Sequence, residues 1–281
     1  MSQLLEDSRI GLKVACYQAA MELKRYFTLV RLFFVLMGPA FVLILIRMGV
    51  IDWIGGMETF KWLVSAYVGT ALSITGLVTL ASTIIGDQED GSLLRTKTIP
   101  GGMLGHIVAK VLVLSVTSLL SIVLVLAAAH IGAGAWLIEP TPWLALLPVV
   151  VLVSIAVTAP LGLVMGGLAR KVTDVFYVTV VGFTLIAISD LLVPPGLMPG
   201  WITTIAKAFP VYWLGYLSRL SMLGPDSPLV SMSGGQWALG LGIMALWILI
   251  GFLALPKAMR KLSRRQSPSM LDKYSTLVGA A

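Results

Sequence analysis

Six long apolar runs constrain the fold of this 281-residue chain more than any other feature. A helix that crosses the hydrocarbon core of a membrane needs about 20 apolar residues. Only 12% of the residues are charged, whereas soluble domains carry about a quarter. The sequence therefore predicts an all-α integral membrane protein, a single transmembrane domain over residues 1–281 with six transmembrane helices. The predicted spans lie near 32–50, 62–85, 107–129, 143–168, 175–193 and 236–255.

The distribution of basic residues predicts the orientation of these spans. Sixteen of the 20 Lys and Arg residues share one side if that side holds both termini, the 86–106 loop with Lys110, and the 169–174 loop. The positive-inside rule makes this side cytoplasmic. The net charge of +7 is therefore a sign of topology and not of nucleic-acid binding. A composition rich in Gly, Ala and Val further suggests a bacterial plasma membrane.

Basic segments flank the spans at both ends of the chain. Residues 9–31 place apolar side chains at helical spacing with Lys13, Lys24 and Arg25 between them, which predicts an amphipathic helix in the headgroup layer. Such a helix either anchors the protein or acts as a lever that joins the spans to a cytoplasmic partner. The tail at 256–281 is also basic, a pattern typical of a stop-transfer segment that binds anionic lipids.

A polar loop at 86–106 separates the second and third predicted spans. Pro100 and the two glycines after it end any helix before them. The sequence therefore predicts a helix of about two turns over 92–99, with Asp90 or Ser92 as its N-cap. Acidic residues precede this helix and basic residues lie further along it, as the helix dipole favours. The loop is either an ordinary cytoplasmic turn or a short helix that docks into another protein.

Sequence motifs for chemistry are absent from the chain. It contains no G-x-x-x-x-G-K-[ST] loop for nucleotide phosphates, no H-E-x-x-H and no nucleophile motif. His106 and His130 lie at opposite ends of one predicted span, too far apart to share a metal. We therefore expect no catalytic residues, no metal and no cofactor in this chain, and an energy source that lies elsewhere.

The 86–106 loop resembles the corresponding loop in membrane subunits of type-2 ATP-binding-cassette (ABC) exporters. That family has a Glu-x-Gly-(Thr/Ser)-Leu pattern, then a proline, then Gly-Lys where the third span begins. Ala109 replaces the glycine of the last pair. The resemblance covers nearly the whole chain, from the N-terminal helix to the long segment before the sixth span. The matching residues are Glu89, Gly91, Ser92, Leu93, Pro100 and Lys110.

The resemblance implies a drug-efflux-like permease subunit without an ATPase site of its own. Two copies of a separate ABC ATPase subunit would bind ATP and magnesium. They would power transport by a dimer that this chain forms with itself or with a close paralogue. A hydrophobic or amphipathic compound would leave the cell, with a lipid or a glycan as the alternative cargo. The implied coupling helix would meet the ATPase through Glu89, Asp90, Gly91, Ser92, Leu93, Leu94 and Arg95.

The segment at 194–235, on the predicted outer side, is rich in aromatic residues. Aromatic side chains favour the membrane–water interface, so the sequence predicts short helices resting at the outer headgroup layer and interrupted at Pro210. An aromatic belt alone would account for the composition. The resemblance implies re-entrant or interfacial helices here and adds a possible outer gate. The gate candidates are Asp190, for which the sequence identifies no partner, and Phe209, Pro210, Tyr212 and Trp213.

Small and weakly polar residues follow one face of the second predicted span. Close helix packing explains such a stripe. The alternative, which the resemblance implies for the first, second and fifth spans, is the wall of a translocation pathway around a dimer axis. An apolar and aromatic wall suits an amphipathic substrate. The candidates are Phe34, Met37, Phe41, Ser73, Thr79, Thr179, Phe183 and Ile186.

Two other functional classes fit parts of the sequence. Asp87, Glu89 and Asp90 form an acidic cluster at the end of a span, as in magnesium-dependent intramembrane enzymes that act on lipid diphosphates. Such enzymes generally need a second acidic cluster facing the same cavity, and the predicted cytoplasmic side has none. An ion-coupled transporter would show internal repeats and charged residues in broken helices, and the sequence shows no repeat.

Overall fold

The computed structural model describes residues 17, 19–21, 23–24, 29–53, 56–97, 102–133, 142–192, 198–227, 230 and 234–278. The side chains of Phe34, Leu94, Arg95 and 263–278 lie outside the described set. The described residues form helices and contain no strand. The helices are α1 Leu29–Arg47, α2 Val50–Trp53, α3 Met57–Glu89, α4 Ser92–Lys97, α5 Gly102–Ala133, α6 Leu147–Leu168, α7 Asp174–Ala187, α8 Gly200–Ala206, α9 Pro210–Leu223 and α10 Gly234–Val278.

Within the described residues, four helices are long and apolar enough to cross a membrane. They are α3, most of α5, α6 and the first 29 residues of α10. They coincide with the second, third, fourth and sixth predicted spans. The structure thus confirms an all-helical chain of membrane-protein character. A turn of 3-10 helix at Pro142–Leu146 takes up the start of the fourth predicted span.

Shorter apolar helices lie where the first and fifth spans were predicted. The apolar part of α1 covers Val35–Arg47, and α7 has 14 residues. At 1.5 Å per residue α7 is about 21 Å long, less than the hydrocarbon core of about 30 Å. It ends at Ala187 instead of continuing to 193, because the chain turns over the next residues and Asp190 adopts φ 53°. Six complete spans therefore remain a prediction.

The predicted amphipathic helix at 9–31 lies largely outside the described residues. Those described between 17 and 24 are helical, and the side chains of Tyr17 and Met21 are exposed. These observations agree with a helix, and they do not test its position at a membrane surface.

Helices α3 and α6 pack so closely that their backbones touch. A π-helical turn at Thr75–Thr79 interrupts α3. A Cβ added at Gly76 would lie 1.7 Å from the Thr158 hydroxyl, and one at Gly162 would lie 2.0 Å from the Gly76 carbonyl oxygen. Small residues permit this contact. The stripe in the second predicted span therefore serves helix packing at this point.

Helix α9 lies inside the bundle and runs antiparallel to both α3 and α10. Against α3, Gly69 lies beside Gly215 and Ser218. The Leu77 side chain, two turns further along α3, lines the same cavity as Pro210 at the start of α9. Against α10, Trp237 near the start of α10 contacts Tyr216, Gly240 lies beside Trp213, and Trp247 stacks on Phe209.

The corner between α8 and α9 therefore reaches the middle of the bundle. Trp247 lies 13 residues into α10, about 20 Å along its axis. Most α9 side chains are buried. This differs from helices resting at the headgroup layer, because apolar grooves on α3, α6 and α10 cover the aromatic side chains that the sequence suggested for an interface.

The remaining helices surround the α3–α6 pair. Helix α10 packs along α6, where a Cβ at Gly251 would lie 2.8 Å from Pro160 and one at Gly167 would lie 2.9 Å from Met259. Helix α1 packs on α5, and α7 packs on α3. The core is therefore continuous from the α9 end of the bundle to the α4 end.

Candidate functional site

A left-handed glycine turns the chain from α3 into α4. The Asp90 N–H donates to the Gly86 carbonyl at 3.0 Å, and Gly91 then adopts φ 71°. A positive φ costs a residue with a Cβ about 1–2 kcal/mol, so glycine suits this position. The Asp90 Oδ1 accepts a hydrogen bond from the Ser92 N–H at 2.9 Å and satisfies one of the unpaired donors that begin a helix. In the described residues α4 ends at Lys97.

Leu93 attaches α4 to the bundle. Its side chain is 1% exposed and packs with Ile84 of α3, Ile107 of α5 and Leu262 of α10. The Thr96 hydroxyl, one turn along, donates to the Leu93 carbonyl at 2.8 Å and is also buried. The sequence suggested that Leu93 faces a partner, whereas the structure places it in the core of its own chain. The side chains of Leu94 and Arg95 lie outside the described set.

A buried ionic cluster joins the end of α3 to the start of α5. The Asp87 carboxylate lies 2.8 Å from the Nε2 atom of His106 through Oδ2 and accepts from the Lys110 Nζ at 3.3 Å through Oδ1. Asp87 and His106 are 7% and 6% exposed. A buried carboxylate needs such partners to offset its desolvation. The cluster therefore fixes the two ends of the 86–106 loop to each other.

Two further contacts join α3 to the end of α6 and to the loop between α6 and α7. The Val172 N–H donates to the Glu89 Oε1 at 3.1 Å, and the Gln88 Nε2 donates to the Gly166 carbonyl at 2.8 Å. The Asp174 carboxylate accepts from two backbone N–H groups of this loop, those of Arg170 and Lys171. These donors hold the pKa of Asp174, which precedes the predicted fifth span, below its ordinary value. We call residues 86–97 and 169–174 together the loop platform.

The acidic residues of the loop platform each have a partner within the chain. Asp87 contacts His106 and Lys110, Glu89 accepts from a backbone N–H, and Asp90 caps α4. Across the described part of the chain, no three His, Cys, Asp or Glu side chains are grouped so that they could hold a metal. The arrangement thus favours a mechanical connection between loops over the magnesium site of a lipid-diphosphate enzyme.

The pathway candidates divide between exposed and buried positions. Met37, Phe41 and Phe183 are 52%, 58% and 48% exposed, so they present apolar surface. Ser73 and Ile186 are buried inside the chain, and the Ser73 hydroxyl donates to the Gly69 carbonyl at 2.8 Å. Thr79 and Thr179 are half-buried, and the Phe34 side chain lies outside the described set.

The predicted gate residue Asp190 contacts Arg219, which belongs to the segment at 194–235. Arg219 of α9 is 2% exposed, and its Nη1 donates to the backbone carbonyl of Asp190 at 3.0 Å. Oδ1 of Asp190 and Nε of Arg219 are buried without a hydrogen-bond partner among the described residues. The contact holds the end of α7 against α9.

The other gate candidates line the corner between α8 and α9. The Trp213 Nε1 donates to the Lys207 carbonyl at 2.8 Å, and the Tyr212 ring packs edge-on against Trp213. Phe209 stacks on Trp247 with ring centroids 5.9 Å apart. The structure thus brings these candidates together as a packed corner inside the bundle.

Four contact residues were missed from the sequence. His106 and Lys110 are spaced four residues apart, so they share one face of α5, and this spacing beside an acidic loop was a signal. Gln88 and Arg219 gave no such signal, because their partners are backbone carbonyls of residues 78 and 29 positions away.

Comparison of the sequence with models of protein families and with curated proteins finds no significant match.

Proposed function

We propose that this chain is the permease subunit of an ABC exporter in a bacterial plasma membrane, with both termini in the cytoplasm. The observation that best supports this proposal is the loop platform. A short helix lies between two candidate spans and is anchored by Leu93, and the end of α3 that precedes it is fixed to α5 and to the 169–174 loop. An ordinary loop turn has no need of a buried ionic cluster and a contact with a second loop.

The contacts of the platform suit it to transmit force. Leu93 connects α4 to α3 and α5, the Asp87 cluster connects the end of α3 to α5, and Glu89 connects that end of α3 to the loop before α7. Displacement of α4 by a partner would therefore move several spans together, as a rigid-body transition requires. Two ATPase subunits that bind ATP and magnesium would supply this displacement.

Exposed apolar faces support a dimer and an amphipathic cargo. Met37 and Phe41 on α1 and Phe183 on α7 present large side chains on the surface of the single chain. A second permease subunit facing these helices would enclose an apolar pathway. We propose a hydrophobic or amphipathic compound as cargo, either drug-like or lipid-like.

Glu89 provides the test of the platform as a docking site. Full-length tagged protein is purified from gently solubilised membranes of its host, and the proteins that co-purify are identified by mass spectrometry. We expect a soluble ATPase in stoichiometric amount. Glu89→Lys should remove most of it, because the platform loses the Val172 contact and gains a positive charge.

Glu89→Gln is the matched control, since an amide oxygen still accepts the Val172 N–H. Association that survives in Glu89→Gln and fails in Glu89→Lys indicates that Glu89 positions the loop. Loss in both variants indicates a direct ionic contact with the ATPase. If wild-type protein purifies without any ATPase, or if Glu89→Lys binds as the wild type does, the proposed docking site is wrong.

A further inference from the structure

An apolar groove of about 430 Å³ lies between α7 and α10. Its volume falls in the range of about 300–1,000 Å³ that is typical of small-ligand sites. Helix α7 packs on α3, and α10 packs on α6. The groove is the space between α7 and α10, and α3 and α6 form its floor. The floor and walls include Leu77, Leu161, Met165, Val181 and Leu185.

The corner between α8 and α9 closes one end of this groove. Phe209 and Pro210 line it together with Trp247 of α10. The Trp247 Nε1 donates to the Ala208 carbonyl at 2.9 Å, so the polar atom of this ring is already satisfied. The closed end therefore presents aromatic and aliphatic surface at the middle of the bundle.

The side of the groove is open at the level of the hydrocarbon core. Val180 and Val181 on its α7 wall are 45% and 47% exposed. The α10 wall belongs to an apolar helix of membrane-spanning length. Because an apolar face at this depth meets lipid chains and not water, the groove is accessible from the bilayer.

Basic side chains lie on the two segments beyond the other end of the groove. Lys257 and Arg260 on α10 and Arg170 and Lys171 in the loop after α6 are exposed. Packing of Gly167 against Met259 brings these two segments together. Basic clusters at the end of a groove between membrane helices are suited to phospholipid headgroups.

The distance from the closed end of the groove to the level of the basic residues matches one leaflet. Eleven residues of α10 separate Trp247 from Ala258, about 16 Å along the helix. Half of a hydrocarbon core is about 15 Å. We propose that the groove holds one acyl chain of an anionic phospholipid from the leaflet next to the loop platform, with the lipid phosphate at the basic residues. This proposal is independent of the ATPase.

Photolabelling in bilayer nanodiscs tests the proposal. Full-length protein is reconstituted in phosphatidylcholine that contains phosphatidylglycerol with a diazirine at the end of one acyl chain. After irradiation, labelled peptides are mapped by mass spectrometry. We expect labelling concentrated at Phe209–Pro210 and around Trp247, several-fold above that of other lipid-facing helices. A diazirine near the glycerol should instead label residues around Met165.

Val181→Trp places a large side chain in the groove from an exposed position and should reduce this labelling several-fold. Leu249→Trp, which adds the same ring at an exposed α10 position outside the groove lining, is the control and should label as the wild type does. Unchanged labelling in Val181→Trp, or uniform labelling of all lipid-facing helices, would overturn the proposal.

Substitution of the basic residues tests where the lipid headgroup binds. Substitution of Lys257 and Arg260 by Ala should remove the preference for phosphatidylglycerol over phosphatidylcholine probes. Lys61→Ala removes a lysine at the other end of the bundle, where it pairs with Glu58 at 3.0 Å, and should keep the preference. A preference that persists in the first variant contradicts the basic residues as the phosphate site.

Discussion

Asp87 connects the two ends of the 86–106 loop through one buried carboxylate. Its two oxygen atoms contact different residues of α5, so the cluster resists both separation and sliding of the two helices. Glu89, two residues later, reaches the opposite loop through Val172. The acidic residues that sequence analysis grouped as one cluster thus have separate structural roles.

We expect Asp87→Asn to destabilise the protein by about 1–3 kcal/mol, because it keeps the side-chain shape and removes the charge between two buried donors. The thermal unfolding of purified protein in detergent measures this effect. Asp52→Asn, at an exposed carboxylate of α2, should change stability little.

A double-mutant cycle isolates the cluster. In a His106→Ala background, Asp87→Asn should cost measurably less than in the wild type, because contacting residues are not additive. Strictly additive effects would show that the 2.8 Å contact contributes nothing to stability.

At the scale of elements, the contact of α3 with α6 depends on the absence of side chains. The backbone of Gly76 touches Gly162, and the π-helical turn at Thr75–Thr79 lies at the same place. π-Helical turns occur often at functional sites. Here the turn also lies beside the groove between α7 and α10, which Leu77 lines.

We expect Gly162→Ala to destabilise the bundle by about 1–3 kcal/mol or more, because the new Cβ meets backbone that cannot move aside. Gly86→Ala is the matched control in α3, since a Cβ there has nothing within 4 Å, and it should be neutral or slightly stabilising. Unfolding temperatures of the two variants in the same detergent give the comparison. Equal temperatures would contradict the close contact.

Helix α4 is too short to be stable alone, so its position depends on Leu93. Leu93→Ala should cost about 2–5 kcal/mol locally and loosen α4. Limited proteolysis should then cut the 86–101 segment faster than in the wild type, while the spans remain intact. A cleavage rate equal to that of the wild type would show that α4 is held by other contacts.

At the scale of the whole molecule, the orientation in the membrane rests on the distribution of charge. Asp226 lies in the segment after α9, and Lys171 lies in the loop platform, and both are exposed. In a Cys16→Ser background, which has no other cysteine, each can be replaced by Cys and tested with a membrane-impermeant maleimide on intact cells.

We expect Asp226→Cys to react in intact cells and Lys171→Cys to react only after the membrane is permeabilised. The reverse pattern would show that the loop platform faces outward, and it would contradict the proposed contact with a cytoplasmic ATPase. Reaction of both would contradict the membrane crossings between them.

The four helices of membrane-spanning length were predictable because a lipid environment demands long apolar segments. Each such segment is a continuous run of residues in the sequence. The 92–97 helix was predictable for a similar reason, since its cap and its following proline are local signals. Short helices on either side of Pro210 were predicted as well, and the structure has them as α8 and α9, with α9 packed inside the bundle. Its aromatic side chains fit both an interface and a core, and only packing against α3 and α10 distinguishes the two.

The sequence by itself determined the helical class, the positions of the long apolar helices and the start of the 92–97 helix, because each depends on residues close together in the chain. Only the tertiary structure decided that Leu93 faces inward, that Asp87 contacts His106, and that Arg219 reaches Asp190. It also created the groove between α7 and α10, whose lining comes from five different helices. Contacts between residues distant in sequence depend on how helices pack, and one sequence carries no direct record of that packing.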